Sequence, residues 1–213
     1  MSVWLTRLVL DTRHRAVRVD LRDAVNLHKR VMMLVPDDLG AQARARTGVL
    51  FRLEEGRSGL SLLIQSRCRP ELDRLPNGYG TAAVKDLDPL LTRLRPGLPV
   101  HYRIAANASK RLAKADGNHK AKQVVALSGT AADEWWSRKA SDHGLALSSL
   151  LSTPMPFVTG KTGQGQRVSH SLTRFDGLAV ITDVERLRTA IVEGIGRGKS
   201  YGCGLLSLAV ART

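Results

Sequence analysis

The sequence predicts an α+β protein built from two tandem β-α-β-β-α-β units, and three observations carry that expectation. Short apolar runs alternate with a period of two, whereas longer ones repeat near 3.6. Turn-forming clusters such as Glu55-Gly56-Arg57-Ser58-Gly59 and Pro96-Gly97 separate the runs. The order of runs up to Ala105 is β-α-β-β-α-β, and a looser copy follows it. A length of 213 residues suits one large or two small domains, and a 43% hydrophobic content is enough to bury a core. Residues 1–95 and 98–213 are the expected domains, joined near residues 95–98.

Taken in order, residues 2–10 read as a first strand. Leu21–Val35 reads as a helix with Asp20 as its N-cap and Pro36 just beyond its end. Gly48–Glu54 and Leu60–Ser66 flank the Glu55–Gly59 turn as a hairpin. A weakly patterned helix near Leu87–Arg93 precedes a strand over Leu98–Ala105. Asn107–Lys122 is basic and polar, as expected of a loop, and Ala131–His143 is a helix carrying Trp135 and Trp136. Two long strands, Leu145–Thr159 and Gln166–Thr182, enclose Gly160-Lys161-Thr162-Gly163-Gln164-Gly165, the expected tip of a protruding hairpin. Asp183 caps a helix running to Glu193, a glycine-rich loop follows, and Leu205–Ala211 closes the second unit. The repeated pattern is the ferredoxin-like one.

Charge narrows the function. Thirty-three Lys and Arg against nineteen Asp and Glu leave +14. A small domain ordinarily carries a net charge of roughly 2–8, so the excess implies an anionic partner. No basic amphipathic helix points to a membrane surface, no apolar run is long enough to span one, and the N-terminus does not read as a signal peptide. The expected partner is nucleic acid and the expected compartment the cytoplasm. Only 4% of residues are Phe, Trp or Tyr, which suits recognition of duplex shape and phosphates over stacking on single strands. Cys68 and Cys203 stand apart, as isolated buried thiols would, and the six histidines have no metal-ligand spacing, so no metal or cofactor is expected.

Gly194-Ile195-Gly196-Arg197-Gly198-Lys199-Ser200-Tyr201-Gly202-Cys203-Gly204 holds five glycines in eleven positions. Glycines let backbone N–H groups turn toward an anion, and Arg197 and Lys199 add charge. The loop leaves a helix and enters a strand, opposite to mononucleotide and dinucleotide loops, and its spacing fits neither. A helix C-cap and turn would explain one or two of the glycines. All five, together with two cations, favour contact with phosphates.

On the predicted Leu21–Val35 helix, His28 falls within a wide apolar arc while Arg22, Asn26, Lys29 and Arg30 face away. A lone histidine on an apolar face is more often a packed core residue than a catalyst. The arc is wider than one sheet contact requires, however, and its surplus would put His28 at a cleft between domains. RNA carries its own nucleophile, the 2′-hydroxyl. A histidine titrating near neutrality can serve as acid or base in cleaving it, with Arg and Lys stabilising the developing charge. No carboxylate cluster suggests a two-metal site, so metal-independent cleavage is the expected route for a nuclease. A structured-RNA-binding protein without catalytic activity is the other reading that the residues allow.

Three segments carry a family resemblance. Gly194-Ile195-Gly196 through Lys199, followed by Gly202-Cys203-Gly204-Leu205-Leu206-Ser207-Leu208, closely resembles the C-terminal motif of the CasE family, the CRISPR repeat-processing endoribonucleases of the type I-E Cascade system. Leu27-His28 followed by Pro36 looks like that family's histidine helix. Arg103-Ile104-Ala105-Ala106-Asn107-Ala108-Ser109-Lys110 is similar to its central strand and loop. The resemblance implies two ferredoxin-like domains and binding of a CRISPR repeat stem-loop. It further implies metal-independent cleavage of precursor crRNA at the 3′ base of the stem, giving 2′,3′-cyclic phosphate and 5′-hydroxyl ends. The mature crRNA is then expected to stay bound, with the protein as a subunit beside the other Cascade proteins. By resemblance, His28 is the catalytic histidine, and Lys161 and Arg167 lie on the basic hairpin set against the RNA. Lys110, Arg111, Arg197 and Lys199 are further expected RNA contacts, with Gly194, Gly196, Gly198, Gly202 and Gly204 shaping the loop. One position departs from the family: a tyrosine often precedes the histidine by three residues, and Val25 stands there. Either a cation such as Lys29 or Arg30 would then support His28, or another group would take over the tyrosine's role.

Overall fold

The structure, a computed structural model, describes residues 2–36, 40, 43–57, 59–111 and 124–211. Its elements run β1 (Trp4–Leu10), α1 (Arg15–Arg22), α2 (Ala24–Met32), α3 (Ala43–Thr47), β2 (Leu50–Gly56), β3 (Gly59–Ser66), β4 (Gly80–Asp86) and α4 (Asp88–Thr92) in the first half. The second half holds β5 (Pro99–Ala106), β6 (Ser109–Arg111), β7 (Val124–Ala126), α5 (Thr130–Asp142), β8 (Leu145–Leu147), β9 (Leu151–Lys161), β10 (Arg167–Ile181), α6 (Val184–Glu193) and β11 (Leu206–Val210). The first sheet has the order β2-β3-β1-β4 and the second β11-β5-β10-β8, with β9 also paired to β10. Both are antiparallel and both follow the ferredoxin-like order, so the expected α+β class of two tandem units stands. No described helix is long and apolar enough to cross a membrane.

Each sheet buries its own core. Leu8, Phe51, Leu62 and Ile64 pack with Leu27, Val31 and Leu34 in the first half. Tyr102, Ile104, Phe175 and Ile181 pack with Trp135, Trp136, Leu187 and Ile191 in the second.

Several elements differ from expectation, each for a physical reason. The first helix is two helices, because Asp23 leaves helical geometry (φ −141°, ψ 119°) and its carboxylate accepts from the Val25 and Asn26 N–H groups as the true N-cap of α2. Asp20 is no cap. It is buried inside α1, 2.7 Å from the Arg30 guanidinium and accepting from the Tyr79 hydroxyl at 2.9 Å. The strand completing the first sheet is Gly80–Asp86 and not Leu98–Ala105, which opens the second sheet. Gly80–Asp86 lies at the sheet edge with mostly exposed residues, so its sequence lacks an apolar alternation. The first unit's second helix shrinks to a single 3₁₀ turn, Leu72–Arg74. Ser109–Arg111 pairs with Val124–Ala126 and is not loop, while residues 112–122 of the expected loop lie outside the described residues. The expected strand Leu145–Thr159 is interrupted between β8 and β9. Cys203 is a buried free thiol as expected, but Cys68 is only half-buried.

Polar contacts tie the two halves together. Arg52, 2% exposed, forms an ion pair with Glu54 and donates to the Leu205 carbonyl at 2.7 Å, the Arg103 carbonyl at 3.2 Å and Ser207 Oγ at 2.8 Å. Gln65 donates to the Ile191 carbonyl at 2.7 Å. At the hairpin, the Lys161 N–H donates to the Asp23 carboxylate at 3.2 Å, and a Cβ on Gly160 would stand 2.7 Å from the same carboxylate. The cap of α2 therefore also anchors the hairpin.

Candidate active site

The seam between the halves places α2 beside the glycine-rich loop. The loop's shape is dictated by its backbone: all five glycines have positive φ, between 75° and 88°. Two of these positions also leave no room for a side chain. A Cβ on Gly194 would meet Leu50 Cδ2 at 2.7 Å, and one on Gly204 would meet the Ile195 carbonyl oxygen at 2.8 Å. The Gly204 N–H donates to the Ala105 carbonyl at 2.8 Å, and Asn107 forms an isolated bridge with Arg197, so the loop is pinned to the end of β5. Gly194, Gly202 and Gly204 are buried, whereas Gly196 is exposed and Gly198 half-buried. Most of the glycines thus serve close packing, and the loop presents its charge through side chains.

Within the loop, Lys199–Tyr201 forms a 3₁₀ turn that turns Tyr201 toward α2. The rings of His28 and Tyr201 meet edge to face, with centroids 6.0 Å apart. His170, from β10, lies against the same phenol at 5.2 Å. Two concave surfaces share Arg44 and Ser200: one is lined also by His28 and Lys29, the other by His170, Arg197, Lys199 and Tyr201. His28 is half-buried, and its Nδ1 is shielded without a hydrogen-bond partner. Burial first, and the Arg44 charge second, hold its pKa below the usual histidine value. The same logic acts on His170, through burial and then Arg197, and on Lys199, through burial and then Arg44, with Glu193 opposing. The site is thus biased toward neutral imidazoles among guanidinium groups, an arrangement suited to accepting a proton beside an anion.

The residues expected from the sequence divide into three groups. His28, Lys29, Arg197 and Lys199 come together at the seam, although Lys199 Nζ also donates to the Glu193 carbonyl at 2.7 Å and so ties down the end of α6. Lys161 and Arg167 face each other across β9 and β10 at the hairpin, both exposed, and Lys110 and Arg111 stand exposed on β6. Arg30 is engaged elsewhere, paired with Asp20 and stacked 5.2 Å over the Tyr79 ring. Val25 is buried next to Gly160. Sequence reasoning did not single out Arg44, Tyr201, His170 or Asn107. Tyr201 lies inside the glycine motif and Asn107 inside the family-like Arg103–Lys110 segment, which were the available signals; nothing local marks Arg44 or His170.

Residues 3–210 match the family described as "CRISPR associated protein". The chain is 31% identical to the CRISPR-associated endoribonuclease Cse3 of Thermus thermophilus, over 97% of this chain and 100% of the relative. It is 28% identical to the CRISPR system Cascade subunit CasE of Escherichia coli K12, over 88% of this chain and 92% of the relative. The structure of Thermus thermophilus Cse3 bound to an RNA representing a pre-cleavage complex superposes with a TM-score of 0.81 at 28% identity, covering 98% of this chain and 100% of that one. The seam, the loop and the hairpin therefore lie within a match spanning almost the whole chain, and this protein belongs to the CRISPR-associated family of the endoribonuclease Cse3 and the Cascade subunit CasE.

Proposed function

We propose that this chain is an endoribonuclease that binds a CRISPR repeat stem-loop and cuts precursor crRNA at the 3′ base of the stem. It keeps the mature crRNA and serves as a Cascade subunit in the cytoplasm, with residues 1–95 and 98–213 as its two domains. The observation that carries this reading is the seam, where His28 opens onto a surface shared with Arg44 and bordered by the glycine-rich loop. The names of the two relatives and the RNA in the superposed complex support it.

In this mechanism His28, neutral because it is half-buried beside Arg44, takes the proton of the 2′-hydroxyl as that oxygen attacks phosphorus. Arg44, Lys29 and Lys199 offset the charge that builds on the phosphate. Arg30 gives no such support, since its guanidinium is committed to Asp20 and Tyr79. Exposed Lys110, Arg111, Lys161, Arg167 and Arg197 hold the RNA backbone, and the products are a 2′,3′-cyclic phosphate and a 5′-hydroxyl. No metal or cofactor takes part.

The test is labelled repeat RNA incubated in EDTA with wild type and with His28→Ala. Product from wild type alone, with equal binding by both, is expected. Binding without any product from wild type would mean an RNA-binding subunit without catalysis.

A further inference from the structure

Cleavage by 2′-hydroxyl attack needs two proton transfers. The O2′–P bond forms as one group removes the 2′ proton. The P–O5′ bond breaks, and O5′ must gain a proton to leave as a hydroxyl. His28 accounts for the first transfer. We propose that His170 makes the second, donating a proton from its Nε2 to the leaving 5′-oxygen. This inference rests on the endoribonuclease reading above and adds the acid that it lacks.

Four observations support it. His170 and His28 pack on the same Tyr201 ring, at 5.2 Å and 6.0 Å between centroids, and line adjoining concave surfaces that share Arg44 and Ser200. The Asn107 side chain, from a residue only 8% exposed, lies with Nδ2 2.8 Å from His170 Nδ1. That contact orients the ring and leaves Nε2 to carry the exchangeable proton. The two ends of the amide also suit both states of the ring, Nδ2 donating to a neutral Nδ1 and Oδ1 accepting from a protonated one. Third, the pairing of β9 with β10 shifts register between His170 and Leu172, and an irregularity of this kind re-aims a side chain out of the regular alternation. Fourth, His170 lines the concave surface that holds Arg44, Arg197 and Lys199, the charged groups facing it from α3 and the glycine-rich loop. Burial, and then the Arg197 charge, favour its neutral form; an RNA phosphate seated beside Arg197 offsets that charge and favours the protonated form that an acid requires. Tyr201 is a positioning residue in this scheme, setting the spacing of the two rings.

The test compares two versions of the repeat stem-loop: one with the natural scissile linkage, and one with sulfur in place of the bridging 5′-oxygen. A thiolate leaves without being protonated, so the second substrate needs no acid. His170→Ala is expected to cut the natural linkage about 10²–10⁴-fold more slowly than wild type, and the sulfur linkage at close to the wild-type rate. His28→Ala is expected to stay slow on both. Equal binding of a 2′-deoxy, uncleavable repeat by wild type and variants establishes that the fold is intact. The proposal is overturned if His170→Ala cuts the natural linkage as fast as wild type, or is equally slow on both linkages. A wild-type protein inert toward both linkages would instead overturn the endoribonuclease reading itself.

Discussion

Two basic regions of this molecule contrast in burial. At the hairpin and on β6, Lys161, Arg167, Lys110 and Arg111 stand exposed. At the seam, Arg44 and Lys199 are half-buried with His28, His170 and Tyr201, and burial lowers the pKa of both cations and both histidines. Exposed cations gain affinity by releasing counterions from the RNA, whichever bases are present, and change little else. Half-buried cations beside imidazoles act in a less screened environment and alter protonation states. On the function proposed above, one region holds RNA and the other reacts with it.

The largest expected effect falls on chemistry at the seam. His28→Ala should lower the single-turnover cleavage rate by about 10²–10⁴-fold while the affinity for repeat RNA stays near that of wild type. Loss of binding in parallel with the rate would place His28 in the holding region. A strong effect on stability is expected where the seam itself is clamped. Arg52→Ala removes the donor to two carbonyls and leaves Glu54 only the longer Arg103 contact at 3.6 Å, and should destabilise the protein by about 3–5 kcal/mol, read by denaturant titration. Exposed Lys161→Ala should leave stability unchanged, so equal effects from the two variants would erase the distinction.

Smaller effects follow from the electrostatics. The Arg44 charge disfavours protonated His28, so Arg44→Ala should raise the His28 pKa and move the acidic limb of the kcat/KM profile to higher pH. Burial, the larger cause, remains in the variant, so the limb should still lie on the acid side of ordinary histidine. An unmoved limb would mean that the guanidinium does not bias the base. Lys161→Ala and Arg167→Ala should each lower the slope of log affinity against log salt by about one, with little change in the rate at saturating RNA. An unchanged slope would remove that side chain from the phosphate contacts.

The sequence revealed the fold class and much of one wall of the site, while the opposing wall stayed hidden. The period of the strands, the turns between them and the Asp183 cap are local properties, and β1, the β2–β3 hairpin and α6 form where expected. The first helix was misread because Asp20 and Asp23 offer the same short carboxylate, and only the tertiary partners Arg30 and Tyr79 decide which one caps. Gly80–Asp86 escaped notice because an exposed edge strand carries little apolar alternation. The width of the apolar arc around His28 did foretell a second contact, and Tyr201 is that contact. His170 and Asn107 are joined by a hydrogen bond across 63 positions of sequence, and no local pattern announces such a pair. The five glycines were legible as a motif, but their reason was only partly so: Gly194 accommodates Leu50, a contact that exists only once the halves have packed, while Gly198 and Gly204 accommodate Cys203 and the Ile195 backbone as the loop folds on itself.

The division between holding and reacting is tested most directly by the single-turnover cleavage rate at saturating repeat RNA, measured for His28→Ala and for a Lys161→Ala/Arg167→Ala double variant. Saturation should restore the hairpin variant to the wild-type rate and leave His28→Ala at least about 10²-fold slower. A hairpin variant that stays slow at saturation, or a His28→Ala enzyme that cuts like wild type, would contradict the account.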